Sequence, residues 1–255
     1  MRYVSVLIGL GVAATACVNA AEVEDDLDPA VGESVPLERE EIARVRVGEA
    51  EIVYFALSDG SVAVRDSTVR GALSTGDRSP LEDYLEITAP SAAVPRALLA
   101  IESSAEIKER AATRRVVDRV LAPTLAVIAD VEPPLALNGY CVGGSSQSWA
   151  SEVCPATNWD VDFCHNGTWY SVSDEVGSSN KKHSSRSVTL GCGANGHVKH
   201  HYWFWGVRYT PIDETTPSGT VVTWSHYGGW SLERQVVHSR TTDDSFVRAA
   251  SHFNH

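Results

Sequence analysis

Three histidines within five residues, His197, His200 and His201, are the side chains in this sequence best placed to suggest a metal site. They fall in GHVKHHYWFWGVRY, a run with the alternation of a strand. Strand side chains alternate faces, so His197 and His201 share one side with Lys199 between them, while His200 points the other way. Histidines four apart on a strand stand about 13 Å apart, too far for both to reach one ion. A site would have to recruit His226 or His238 from another strand, and no H-E-x-x-H brings two imidazoles together on a helix. Neither a resident metal nor another cofactor is expected. The same rings offer a charge switch. Residues 136–255 hold 10 acidic and 8 basic side chains together with all nine histidines, so full protonation would take them from −2 to +7.

Catalytic constellations are sparse. Ser231, in GGWSLE, lacks both the G-x-S-x-G pattern and the strand-to-helix setting that exposes a nucleophilic serine. Paired acids occur at Asp160/Asp162, Asp174/Glu175, Asp213/Glu214 and Asp243/Asp244. Three of these pairs fall in expected turns or loops, and sequence neighbours do not supply two carboxylates across a cleft. No phosphate-binding loop or dinucleotide fingerprint is present. The enzyme alternative is a hydrolase with an unfamiliar His/carboxylate site drawn from His226, His238 and Asp243.

The aromatic side chains point elsewhere. All seven tryptophans lie beyond residue 148, and Tyr202-Trp203-Phe204-Trp205 is the densest cluster. Over a continuous strand His197–Tyr209, alternation puts Trp203 and Trp205 with Val207 and Tyr209 on one face, and Tyr202 and Phe204 with Val198 on the other. Trp149, Trp159, Trp169, Trp224 and Trp230 add more indoles than a core of this size needs. Exposed Trp and Tyr give flat, rigid contact area suited to stacking on sugars, with His and Asp nearby for hydroxyl groups. The candidate ligand contacts are Trp203, Trp205, Tyr202, His201, Trp224 and Trp230. The partner they suggest is a carbohydrate or another cell-wall or cell-surface ligand, bound without catalysis.

The elements that must position these residues are short strands. Trp169–Ser173, Ser185–Gly191, His197–Tyr209, Thr220–His226, Ser231–Ser239 and Ser245–Phe253 read as strands. Turn signals separate them at Asn166-Gly167, Asn195-Gly196 and Gly228-Gly229 among others, with Asn195-Gly196 expected to turn the central hairpin. Upstream, Val45/Val47, Ile52/Tyr54 and Val62/Val64 alternate around a turn at Asp59-Gly60. Ser79-Pro80 starts a helix over Leu81–Ile87, and Ser104 caps a second one expected to run to Leu121. Arg110, Arg114, Arg115 and Arg119 then read as a solvated helix face. The fold class is mainly β: a C-terminal antiparallel sandwich or small barrel stapled by two disulfides and preceded by a small α+β region.

The expected layout is an export signal over residues 1–20, an acidic linker over 21–36, an α+β region over 37–131, a Pro-rich linker over 132–137 and an aromatic-rich β-domain over 138–255. Met1-Arg2 followed by apolar Tyr3–Thr15 has the form of an export signal and is too short to span a bilayer. Ala14-Thr15-Ala16-Cys17 resembles a lipobox, whose cysteine takes a lipid, although Ala14 stands where such motifs usually have Leu. Val18-Asn19-Ala20 offers an ordinary cleavage site instead. Lipidation of Cys17 would leave four cysteines, Cys141, Cys154, Cys164 and Cys192. Their intervals do not fit paired zinc ligands, so two disulfides are expected, in a pairing that spacing does not choose. A secreted effector, toxin or protease inhibitor, with residues up to about 115–136 as an acidic propeptide is the remaining alternative. The chain is acidic, net −12, and has no basic block to neutralise phosphates, which argues against nucleic acid as a partner.

Overall fold

A computed structural model describes residues 34–68, 78–120, 124–125, 159–163, 170–175, 182–191, 195–217, 219–227, 232–241 and 247–254. They are mainly strand. In chain order the elements are β1 (Val35–Pro36), β2 (Arg39–Val47), β3 (Ala50–Leu57), β4 (Val62–Asp66), α1 (Pro80–Ile87), β5 (Val94–Pro95), α2 (Arg96–Ile101), α3 (Ala105–Ala112) and β6 (Val116–Val117). There follow β7 (Thr124–Leu125), β8 (Trp159–Phe163), β9 (Tyr170–Glu175), β10 (Lys182–Gly191), β11 (Asn195–Phe204), β12 (Val207–Pro217), β13 (Val221–Tyr227), β14 (Arg234–Thr241) and β15 (Val247–Asn254). One sheet has the order β7-β2-β3-β4-β13-β10-β15-β8, a second β1-β12-β11-β14-β9, and β5 pairs with β6. Apart from the two-residue strands β1, β7, β5 and β6, the pairings are antiparallel.

The early strands do not close a sheet of their own. β4 pairs with β13 from Val62↔Ser225 to Asp66↔Val221, so segments some 160 residues apart share one ladder. One face of β2–β4 receives the helices, burying Ile52, Tyr54 and Val64 against Leu81, Tyr84 and Leu98. The opposite face meets the five-stranded sheet, where Val53, Phe55, Ala63 and Trp224 pack with Val198, Tyr202 and Ile212. Period-two alternation therefore serves two cores, one on each side of the same strands.

Local chemistry explains the helices. The Ser79 hydroxyl accepts from Glu82 N at 3.1 Å, and Pro80 takes the first turn, where a missing N–H costs nothing. Buried Glu102 joins two caps, accepting the Ser79 hydroxyl and, at 2.8 Å, the Ser104 N–H. α3 stops at Ala112 rather than running to Leu121. The β-branched pair Val116-Val117 instead forms a parallel bridge with Val94-Pro95. Arg114 is correspondingly not a plain surface cation: its guanidinium donates to Thr88 Oγ1 at 2.8 Å and Leu85 O at 3.0 Å, closing the end of α1.

The two large sheets are joined by a chain of hydrogen bonds at the β3–β4 turn. Asp59 Oδ1 accepts from Ser61 N at 2.8 Å and Ser61 Oγ at 2.6 Å. Its Oδ2 accepts the Tyr202 hydroxyl at 2.7 Å, and Ser61 Oγ accepts Trp224 Nε1 at 2.8 Å. Removing the acceptor would strand a buried hydroxyl, which costs about 1–3 kcal/mol beyond the lost bond. Asp59→Ala should therefore lower unfolding free energy by about 2–4 kcal/mol in urea titrations, while Asp59→Asn, which keeps an acceptor at only one of the two positions, should lose about half of that.

Candidate functional site

The stretch expected to be a single strand is a hairpin. β11 and β12 are joined by Trp205 (φ 52°) and Gly206 (φ 70°), a two-residue turn with both angles positive, as in type I′. Asn195-Gly196 does not turn the chain; it begins β11, paired with Pro217 and Thr216. The Trp-Gly turn is less legible because a non-glycine residue in the left-handed region costs about 1–2 kcal/mol. Glu233 braces it: Gly206 N donates to Oε1 at 3.0 Å and Oε2 at 3.3 Å, and Glu233 N donates to Trp203 O at 3.0 Å. A register shift between His200 and Tyr202 lets β12 carry Pro211, which has no ladder N–H to give.

The turn redistributes the aromatic residues. Tyr202 is fully buried, stacked on Trp224 at 4.7 Å and on Tyr209 at 5.0 Å. Tyr202 and Trp224, expected to touch a ligand, instead fill the space between the sheets, because their polar atoms find partners at Asp59 and Ser61. Tyr209 joins that core and not the face of Trp203, since the two-residue turn pairs it with Tyr202. Trp205 leaves both faces: it is 83% exposed in the turn and stacks on Phe204 at 5.4 Å. Trp230, Trp149 and Trp169, together with Cys17, Cys141, Cys154, Cys164 and Cys192, lie outside the described residues.

Trp203 stays on the outer face of the five-stranded sheet, half-buried, with the Arg234 guanidinium 5.4 Å from its ring centre. His201 stands next to it on the same strand face, 6.3 Å away between ring centres, and meets His238 of β14 at 5.1 Å. Its Nδ1 lies 2.8 Å from Thr210 Oγ1. Further along, His197 Nε2 is 2.6 Å from Asp213 Oδ1, and Lys199 Nζ is 3.6 Å from Asp213 Oδ2. From Trp203 to His197 this strip runs about 20 Å at 3.4 Å per residue. Arg234, Thr210 and Asp213 complete it from neighbouring strands, Arg234 beside Trp203, Thr210 beside His201 and Asp213 beside His197 and Lys199, and only the register brings them there.

The paired acids are more often on strands than expected. Asp160/Asp162, Asp174/Glu175 and Asp213/Glu214 sit on strands, and Asp243/Asp244, an expected turn, lies outside the described residues. Asp213 faces outward, whereas Glu214 points between the sheets to Arg39 at 2.8 Å and Arg65 at 3.8 Å. The pair therefore does not face one substrate. Among the described residues no cluster of three or more His, Cys, Asp or Glu is arranged to hold a metal ion.

The histidines divide too. His200 points inward, fully buried, its Nδ1 2.8 Å from Ser185 Oγ and its Nε2 2.6 Å from Ser187 Oγ across the gap between sheets. Burial, then the neighbouring His238, holds its pKa down to about 3. His201 falls to about 3, through burial first and then His238 and Arg208, and His226 to about 4 through burial. A switch that protonates all nine histidines at mildly acidic pH is thus not available to the folded chain. Asp83 moves the other way, raised by burial to about 7 despite Arg78 at 3.0 Å. It lines a cavity of about 10 Å³ with Val64, Ser184 and Thr223, room for one water.

No protein-family model matches the chain, and no curated protein matches it. Among solved structures, a chain titled "Crystal structure of PirA" aligns at 10% identity and a TM-score of 0.28, over 39% of this chain and 95% of that one. That likeness is too slight to define the fold.

The shifted groups set a pH dependence. Depressed folded pKa values mean that, between about pH 4 and 6.5, the unfolded chain takes up protons His200, His201 and His226 refuse when folded, so stability is lost as pH falls. Asp83 opposes this over the same window, because the folded chain holds its proton up to about pH 7. Three protons against one leave about two, so unfolding free energy should rise by roughly 2–3 kcal/mol per pH unit near pH 5 and level off above about 7. Urea titrations from pH 4.5 to 7.5 would measure the slope, and His200→Gln should reduce it by about one proton.

Proposed function

We propose that this chain is an exported cell-envelope protein, lipidated at Cys17, whose β-rich fold binds a carbohydrate of the cell wall or cell surface without converting it. Cys141, Cys154, Cys164 and Cys192 form two disulfides in this reading, each contributing about 2–4 kcal/mol. The observation that carries it is Trp203, an indole left partly exposed on a sheet face among polar side chains while its neighbour Tyr202 is fully buried between the sheets. A sugar ring has one face of C–H groups, which stacks on indole, and a rim of hydroxyls, which needs donors and acceptors at its edge. Arg234 and His201 flank the indole, and the His238, Thr210 and Asp213 side chains extend the polar rim along the strip.

Non-catalytic binding agrees with the division of the acids. Asp213 is engaged by His197 and Lys199 on the outer face, and its neighbour Glu214 is turned inward. Two opposed carboxylates across a cleft, the requirement for glycoside hydrolysis, are not formed by this pair.

Glycan-array binding by the full chain, followed by calorimetry on the best ligand, tests the proposal. Trp203→Ala should weaken binding at least 10-fold with a melting temperature within a few degrees of the parent, and Arg234→Ala should weaken it several-fold. Equal affinity of Trp203→Ala and parent, or release of reducing ends from the bound glycan, would overturn the reading.

A further inference from the structure

Three of the four exposed large hydrophobic residues among the described residues gather around the β11–β12 turn. Trp205 is 83% exposed, Val207 38% and Val35 40%. Val207 follows the turn directly, and Val35 is brought there by the parallel pairing of β1 with β12, Val35↔Tyr209. The remaining one, Val116, belongs to the separate β5–β6 pair.

The tip is built to present the indole. Phe204 stacks beneath Trp205, and Glu233 holds the turn through Gly206 N. A two-residue turn with both φ angles positive favours Asn-Gly, yet the residue in the first position is tryptophan at φ 52°. The turn gains nothing from that choice. The contact area of an exposed indole is what it provides, and Trp is the side chain that favours the boundary between lipid chains and water.

The chain's own path indicates what meets the tip. Because β1 runs parallel to β12 and is paired at its start, the backbone enters the described fold at the end where the turn lies. Cys17, the lipid-bearing residue in the proposed function, precedes Val35 by 18 residues, which span at most about 60 Å when extended. A tether of that length, entering beside the turn, lets the turn reach the bilayer that holds the lipid.

We infer that the Trp205 turn, with Val207 and Val35, is a bilayer-docking tip that seats in the interfacial layer of the membrane anchoring the chain. The orientation rests on lipidation at Cys17; the lipid-binding tip itself does not. It sets the domain's pose and keeps the Trp203 strip, on the outer sheet face, directed along the envelope toward its polymers. Seating by apolar contact requires no anionic lipid, in keeping with a chain of net charge −12.

The test uses the full chain with Cys17→Ser, so that no lipid anchor contributes, and vesicles of phosphatidylcholine alone. The parent should co-sediment with vesicles, and Trp205→Asn, which suits the turn better than tryptophan, should reduce the partition coefficient at least 10-fold without lowering the melting temperature. Val116→Ala and Trp203→Ala should leave partitioning within about twofold. Absence of co-sedimentation at 1 mM lipid, equal partitioning of Trp205→Asn, or a Trp205-dependent dimer in light scattering would each overturn the inference. Palmitate labelling of the wild-type chain, lost on Cys17→Ser, decides the anchor separately: labelling with vesicle binding supports the orientation, while vesicle binding without labelling overturns the orientation and leaves the tip. Glycan binding by Trp203 is read in its own assay, so failure of either proposal is visible without the other.

Discussion

Asp59 is the constraint on which the two halves of this chain agree. A turn residue accepts its own backbone at Ser61 and, across the core, the hydroxyl of Tyr202. Ser61 passes the arrangement on to Trp224, which lies flat against Tyr202 at an interplanar angle of 13°. Burying two large amphipathic rings side by side costs least when both polar atoms are met. That requirement fixes the β3–β4 turn against β11 and β13 at once. The ladder between β4 and β13 supplies alignment, and the aromatic stack supplies the apolar area.

This arrangement bears on whether residues 37–131 are separable. Taking them away would leave β13 an unpaired edge along Val221–Ser225 and leave Tyr202 and Trp224 without Asp59 and Ser61. An exposed edge strand with a buried-type aromatic face is a site for aggregation. A cut after residue 115 would therefore be compatible with this fold if the early strands stay bound. The ion pairs at the rim act in the same direction, with Glu214 of β12 reaching Arg39 and Arg65 from the opposing sheet, both over the Phe55 ring. Such pairs are partly solvated and contribute less than the stack beneath them.

Much of the fold was legible where local signals and tertiary demand coincide. Ser79-Pro80 started α1 as read, and Asp59-Gly60 turned between β3 and β4, with Gly60 at φ 83°. Reading failed where two local signals competed. Asn195-Gly196 is the stronger turn pair by propensity, but Trp205-Gly206 makes the turn, because the partner strand and Glu233 hold it there. That one displacement moved Tyr209 to the core and Trp205 to the tip. Ser104's helix is shorter than its apolar stripe suggests for the same kind of reason, since Val116 and Val117 gain a strand partner that no local pattern announces. Of the candidate site, Trp203 and His201 kept their place on one face; Arg234, Thr210 and Asp213 depended on register, which residue type does not encode.

The interior also decides where a ligand can bind. Between the sheets, His200 is held by two serines and stays neutral, and the aromatic stack has its polar atoms met. Opening that layer to a ligand would expose a fully bonded polar network and strand its members, each at about 1–3 kcal/mol. The water-sized cavity beneath α1 is far below the 300–1,000 Å³ of ligand pockets. Binding at these places would have to displace structure before it gained contact. The outer face of β11, β12 and β14 carries no such cost. Its partly exposed indole stands at the surface with His197, Lys199, Asp213 and Arg234, while His201 is buried beside them, so recognition there would act through stacking and hydroxyl contacts along an open strip, favouring an extended polymer over a small enclosed molecule.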